Sequence, residues 1–326
     1  MKVKPLKNLK IRPHTTNASA PSANLRLKTI LATTDFSGES LTGVRYAMNL
    51  AEKLGANVAL LHVVEPVSRL SGMESVVLAR GDSEVLALAR AQLAALAKRE
   101  GKADVIVTPT VRTGKPFHEI TAAARKHAAD LIVIATHGHT GLNHLLLGST
   151  AERVVRHAAC PVLTVPTHAL TGCDSNTPAL TLKRILVPTD FSIGSIDAFP
   201  YAVLLAGLFR AKLIFFNAVE EFPIDHLLGR ELTNETMAPM LRLAEADLEG
   251  MAANLSRSVD LRAAAVVRQG KPAAEICHTA ASLGVDLIVL ATHGYTGLKH
   301  VWLGSTAERV VRHAPCPVLA VHSPAP

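Results

Sequence analysis

Short, nearly unbroken apolar runs alternate along this chain with segments in which apolar residues return every three or four positions. Leu27–Thr33, Val58–Val64, Asp104–Thr108, Asp130–Ala135 and Pro161–Val165 have the length and composition of strands. Runs so continuously apolar suit parallel strands covered on both faces. Between them, Val44, Ala47, Met48, Ala51 and Leu54 recur with helical spacing before Gly55, and a glycine there supplies a helix stop. The Ala- and Leu-rich run from Asp82, read as an N-cap, to Arg99 predicts a second helix after a loop at 65–81. A third helix starts at Gly114-Lys-Pro116, and a short last one precedes Pro161.

The series then returns. Leu182–Ser192 answers residues 27–37, Arg268–Pro272 answers Arg112–Pro116, and residues 286–322 match 130–166 at 29 of 37 positions. The order β-α-β-α-β-α-β-α-β, written twice, predicts two α/β domains, each with a parallel sheet and helices on both faces. The expected division is a basic disordered tail at 1–25, a first domain at 26–168, a linker at 169–180 and a second domain at 181–323. A length of 326 residues accommodates two such units.

Charge narrows the partners. Lys and Arg number 34 against 27 acids, and Lys2, Lys4, Lys7, Lys10, Arg12, Arg26 and Lys28, all before the first acid at Asp35, account for that excess. The body is formally neutral, which disfavours a nucleic-acid or membrane role. No apolar run reaches the ~18 residues of a membrane span, and no secretory leader pattern opens the chain. Cys160, Cys173, Cys277 and Cys316 lack metal-site spacing, so a reduced, cytoplasmic setting is expected.

Candidate chemistry gathers in the repeated stretch. Ala135-x2-Gly138-x9-Gly148-Ser149-Thr150 recurs as Ala291-x2-Gly294-x9-Gly304-Ser305-Thr306. Glycines after a strand allow unusual turns and the approach of a phosphate to main-chain N–H groups, and the helix start that follows favours an anion. Ser149 and Glu152, like Ser305 and Glu308, stand at capping-box spacing. A purely structural cap and turn is the competing reading, weakened by the recurrence. Asp35 and Asp190, each after a strand, are ligand contacts or N-caps. His137 and His293 flank the loop, where packing or hydrogen bonding is expected; Tyr295 in place of His139 argues against a direct metal site there.

The Thr-Asp-Phe-Ser turn, Leu-His-Val strand, Ala-Thr-His-Gly-x-Thr-Gly-Leu, Leu-Gly-Ser-Thr-Ala-Glu and Cys-Pro-Val-Leu together resemble the universal stress protein family in tandem form, over about residues 26–323. The resemblance implies two Rossmann-like (adenine nucleotide alpha hydrolase-like) domains, each a five-stranded parallel sheet of order 3-2-1-4-5. It also implies ATP or another adenine nucleotide as ligand, with Mg²⁺ or Mn²⁺ held through the phosphates. Carried over, it puts adenine near Thr33, Asp35 and the Val63 backbone, with Ala135, His137, Gly138, Gly148, Ser149 and Thr150 around ribose and phosphates. The second site takes Pro188, Asp190, Ala218, Ala291, His293, Gly294, Gly304, Ser305 and Thr306. Ala135 and Ala291 replace the first glycine of the family's G-x2-G-x9-G-[ST] pattern, and Asn217-Ala218 replaces His62-Val63. The last strands of the two domains are expected to pair within the chain as a pseudo-dimer, with a homodimer also open. A slow ATPase is an alternative, although the chain has no G-x4-G-K-[ST] loop or kinase signature; nucleotide-free assembly is another.

Overall fold

The computed structural model describes residues 25–66, 75–136, 148–167, 180–220, 234–292 and 303–322, with backbone only for 75–82 and 234–236. The expected basic tail and linker, with Cys173, fall outside these residues, apart from Leu25 and Leu180 at their edges. The first lobe runs β1 (Thr29–Thr34), α1 (Gly38–Leu54), β2 (Asn57–Val64), α2 (Ser75–Glu100), β3 (Val107–Thr113), α3 (Pro116–Lys126), β4 (Leu131–Ala135), α4 (Ser149–His157) and β5 (Val162–Val165). The second runs β6 (Arg184–Pro188), α5 (Ile193–Ile196), α6 (Phe199–Phe209), β7 (Lys212–Val219), α7 (Asn234–Ser258), β8 (Ala263–Gln269), α8 (Pro272–Ser282), β9 (Leu287–Ala291), α9 (Ser305–His313) and β10 (Val318–Val321).

The ten strands of the described residues form one sheet of order β3-β2-β1-β4-β5-β10-β9-β6-β7-β8. Each half has the order 3-2-1-4-5 and is parallel throughout, as expected. The halves join where β5 and β10 pair antiparallel, Leu163 opposite Leu319. The chain is therefore its own pseudo-dimer. Strand side chains alternate between two cores: Ile30 and Ala32 pack under α1, α2, α6 and α7, while Leu31 packs under α3, α4, α8 and α9. Both cores cross the junction. Across it, Glu152 and Arg156 of α4 meet Arg312 and Glu308 of α9, with cross-lobe contacts of 3.3 Å and 3.5 Å.

Four local details differ from the sequence reading. β3 starts at Val107 rather than Asp104 and includes Pro109, opposite Leu60. It is the outermost strand, bonded on one side only, where a missing N–H is tolerated. α2 begins at Ser75, so Asp82 lies inside the helix and cannot be its N-cap. The counterpart of α1 is split into α5 and α6, and Pro200, at the Arg45 position, opens the second piece. Without an N–H, that residue cannot continue the preceding helical ladder. Finally, β1, β4 and β5 start at Thr29, Leu131 and Val162 rather than at Leu27, Asp130 and Pro161.

Candidate functional site

The carboxyl ends of β1, β2 and β4, with the start of α4, surround a cavity of about 580 Å³. That volume lies within the ~300–1,000 Å³ of small-molecule sites. Its position matches the general rule for open α/β sheets, in which ligands sit beyond the strand carboxyl ends where the strand order reverses. The walls include Thr33, Asp35, Val63, Ala135, Gly148, Ser149 and Thr150. Seven first-lobe residues picked from sequence thus meet in one place, while His137 and Gly138 lie outside the described residues.

Asp35 does not cap α1. Ser37 does, its hydroxyl accepting from Ser40 N–H, and Asp35 Oδ1 in turn accepts from the N–H and hydroxyl of Ser37. Thr34 Oγ1 bonds Ser40 Oγ at 2.9 Å and accepts from Phe36 N–H. Those bonds hold Phe36 at φ 65°, a left-handed conformation costly for an aromatic residue. His62 donates through Nδ1 to the Thr34 carbonyl, and its ring lies 4.3 Å from that of Phe36. The whole turn recurs: Thr189 bonds Ser195, Asp190 accepts from Ser192 N–H, and Phe191 has φ 63°. Asn217 Nδ2 donates to the Thr189 carbonyl at 2.8 Å, so the amide supplies the bond that His62 supplies in the first lobe.

Gly148 has a use other than the one its spacing suggested. Its φ of −58° is ordinary. A Cβ there would stand 2.9 Å from the Thr136 carbonyl oxygen, to which Gly148 N–H donates at 2.6 Å. The residue is glycine because two backbones touch, and its own N–H is already bonded. Gly304 repeats this, with a Cβ falling 3.0 Å from the Thr292 oxygen. Gly148 is also the N-cap of α4, which puts Ser149 one position inside the helix, so the capping box read from Ser149 and Glu152 does not form. Gly304 and Ser305 stand in the same relation in α9. Among the described residues, neither cap lends a side chain to the first-turn N–H groups. The N–H groups at the start of α4 have no helical acceptor, and an anion is favoured there by both hydrogen bonding and the helix dipole.

Ala135, which replaces a glycine of the motif, is buried in the wall, and a Cβ on Gly43 would lie 3.6 Å from its methyl. The methyl is thus turned toward α1. The cavity also takes in Ser40, His62, Glu65, Val85, Leu88, Ala89, Gln92, Pro116 and Ile120, none of them assigned a ligand contact from sequence. Two signals pointed to some of them: Thr34-x5-Ser40 repeats as Thr189-x5-Ser195, and Leu86-x-Leu-Ala-x-Ala-x-Leu93 repeats as 241–248.

In the second lobe, Pro188 ends β6, Ala218 lies in β7 and Ala291 ends β9, with Asp190 in the turn after β6. Gly304, Ser305 and Thr306 open α9. Register supports equivalence, since Val63 faces Arg112 as Ala218 faces Arg268. His293 and Gly294 lie outside the described residues.

Fold and site together define a tandem doubly wound α/β protein with a crevice at the strand carboxyl ends and a helix start opening into it. The model of the universal stress protein family matches residues 26–166 and 181–322, and the chain belongs to that family, with two of its domains in tandem. A universal stress protein of Methanocaldococcus jannaschii is 39% identical over 143 residues, spanning 42% of this chain and 81% of that relative. One from Mycolicibacterium smegmatis is 25% identical over 296 residues, or 90% of this chain and 96% of its own. Among solved structures, a universal stress protein from Archaeoglobus fulgidus superposes with a TM-score of 0.65 at 20% identity, covering 92% of this chain and 99% of that one.

Proposed function

We propose that this protein is a stress-response module whose lobes bind ATP or another adenine nucleotide in the crevice beyond the strand ends. The observation that carries the reading is the union, in one cavity of about 580 Å³, of Asp35, Val63 and the opening of α4. In this reading adenine lies toward Thr33, Asp35 and the Val63 backbone, and phosphates lie toward the start of α4. His137 and Gly138, with His293 and Gly294, complete the proposed phosphate loops. A divalent Mg²⁺ or Mn²⁺, held through the phosphates, would neutralise their charge, and Ser149 and Thr150 offer oxygen donors on the wall beside them. The second lobe's residues from Pro188 to Thr306 have the corresponding roles.

Binding is favoured over turnover. The described cavity wall contains no Lys or Arg, whereas phosphoryl transfer needs placed cations. Assembly through a free last strand is disfavoured because β5 and β10 are already paired with each other. A cytoplasmic setting belongs to the same reading: Cys160, Cys277 and Cys316 are free thiols, as a reducing compartment keeps them. No helix among the described residues is long and apolar enough to cross a membrane.

The adenine nucleotide released on denaturing freshly purified protein, read by chromatography, tests the proposal. About two per chain is expected if both lobes retain ligand, and about one if only one does. No nucleotide, followed by no uptake on adding ATP and Mg²⁺, would defeat it.

A further inference from the structure

The helix over the crevice carries different charge in the two lobes. Gln92 of α2 lines the first cavity together with Val85, Leu88 and Ala89. α7 repeats α2 at a constant offset of 155 residues. Burial fixes that register: Ala89 and Leu93 are buried like Ala244 and Leu248, and Leu88 is exposed to 60% where Leu243 is exposed to 55%. Asp247 therefore occupies the Gln92 position. The extra residue of the second lobe falls later, between α7 and β8, because Val58 pairs Val107 while Leu213 pairs Ala263.

Over 85–96 the first helix carries one charged residue, Arg90. Over 240–251 the second carries Arg242 against Glu245, Asp247 and Glu249. The net charge changes from plus one to minus two. The acids that line the first cavity, Asp35 and Glu65, have acidic counterparts in the second lobe, Asp190 and Glu220. An amide donates or accepts, but a carboxylate only accepts and repels a polyphosphate.

Building on the nucleotide reading above, we propose that the lobes differ in the charge of the adenine compound they take. Gln92 lets the first accept a polyphosphate, and Asp247 turns the second toward a compound with little or no phosphate charge.

The test uses the full-length chain with one lobe blocked at a time. Thr306→Glu with Ala218→Trp places a carboxylate in the opening turn of α9 and a bulky ring on the adenine side, so that the first lobe reports for both compounds; Thr150→Glu with Val63→Trp leaves the second. Neither glutamate opposes the helix dipole. ATP with Mg²⁺, and separately adenosine, are titrated by calorimetry. The affinity ratio of ATP to adenosine is expected to be higher in the first lobe. Gln92→Asp should weaken ATP there by about threefold to tenfold and leave adenosine within about twofold, and Asp247→Gln should strengthen ATP in the second lobe by a similar factor. Both effects should shrink as salt is raised toward 1 M.

Equal ratios in the two lobes, or swaps that move ATP and adenosine together, would overturn this proposal while leaving nucleotide binding intact. Binding of neither compound by either lobe would instead overturn the nucleotide reading, and this proposal with it. A second lobe that binds ATP but not adenosine would also refute the assignment.

Discussion

At the scale of single residues, two glycine positions have opposite lessons. Gly148 has an ordinary φ but no room, since any Cβ meets the Thr136 carbonyl. Gly148→Ala should cost about 1–3 kcal/mol by overpacking, measured as a lower urea midpoint of the whole chain. Gly55 has room but a left-handed φ of 65°, and its repeat is Arg210 at φ 53°. A non-glycine residue is strained there. Arg210→Gly should therefore stabilise the second lobe by about 0.5–1 kcal/mol after the flexibility glycine adds to the unfolded chain. No gain in the denaturation midpoint would mean that the Arg210 side chain compensates the strain. The reason for Gly55, a helix stop, was legible in the sequence, but the reason for Gly148 was not. Close backbone contact and positive φ both select glycine, and only three-dimensional neighbours separate them.

At the scale of elements, strands were easier to place than helix ends. The apolar runs of β1, β2 and β4 are buried on both faces and had no competing period. β3 was displaced in the reading because it is an edge strand of mixed burial, and Pro109 imitates a breaker. The start of α2 was missed because Gly81 and Asp82 look like a boundary although the helix runs through them. Helix attachment has a charged component. Arg45 of α1 donates to Glu100 at the end of α2, and Arg99 donates to the same carboxylate. Burial raises the Glu100 pKa, but the hydrogen bonds and charges of Arg45 and Arg99 outweigh it, and the net shift is downward. A lowered folded pKa contributes stability above the ordinary glutamate value and loses it as pH falls through the depressed one. Arg45→Met should thus be less stable than the parent at neutral pH, with the difference narrowing below about pH 4. An unchanged difference across that range would assign the effect to lost packing of the arginine stem.

At the scale of the whole molecule, the repeat of a long segment at 29 of 37 positions announced two lobes, and the antiparallel pairing of β5 with β10 makes them one sheet. Strands of the two halves run in opposite senses, so the strand carboxyl ends of the two lobes lie at opposite ends of the sheet. Much of the first cavity wall was legible because Thr33, Asp35, Val63, Ala135, Gly148, Ser149 and Thr150 lie at strand ends and a helix start, which sequence pattern locates. The wall from α2 was not legible: Val85, Leu88 and Gln92 are surface positions of a long helix, and their relation to the crevice comes from packing.

Calorimetric titration of the full-length chain with ATP and Mg²⁺, beside the double variant Thr150→Glu, Thr306→Glu, tests nucleotide binding at the strand ends most directly. Saturable binding by the parent is predicted, with affinity falling at least about tenfold in the variant as two carboxylates take the anion positions. The same denaturation midpoint in both proteins would tie the loss to the site. Binding unchanged in the variant, or no binding by the parent up to millimolar ATP, would contradict the assignment of the crevices as nucleotide sites.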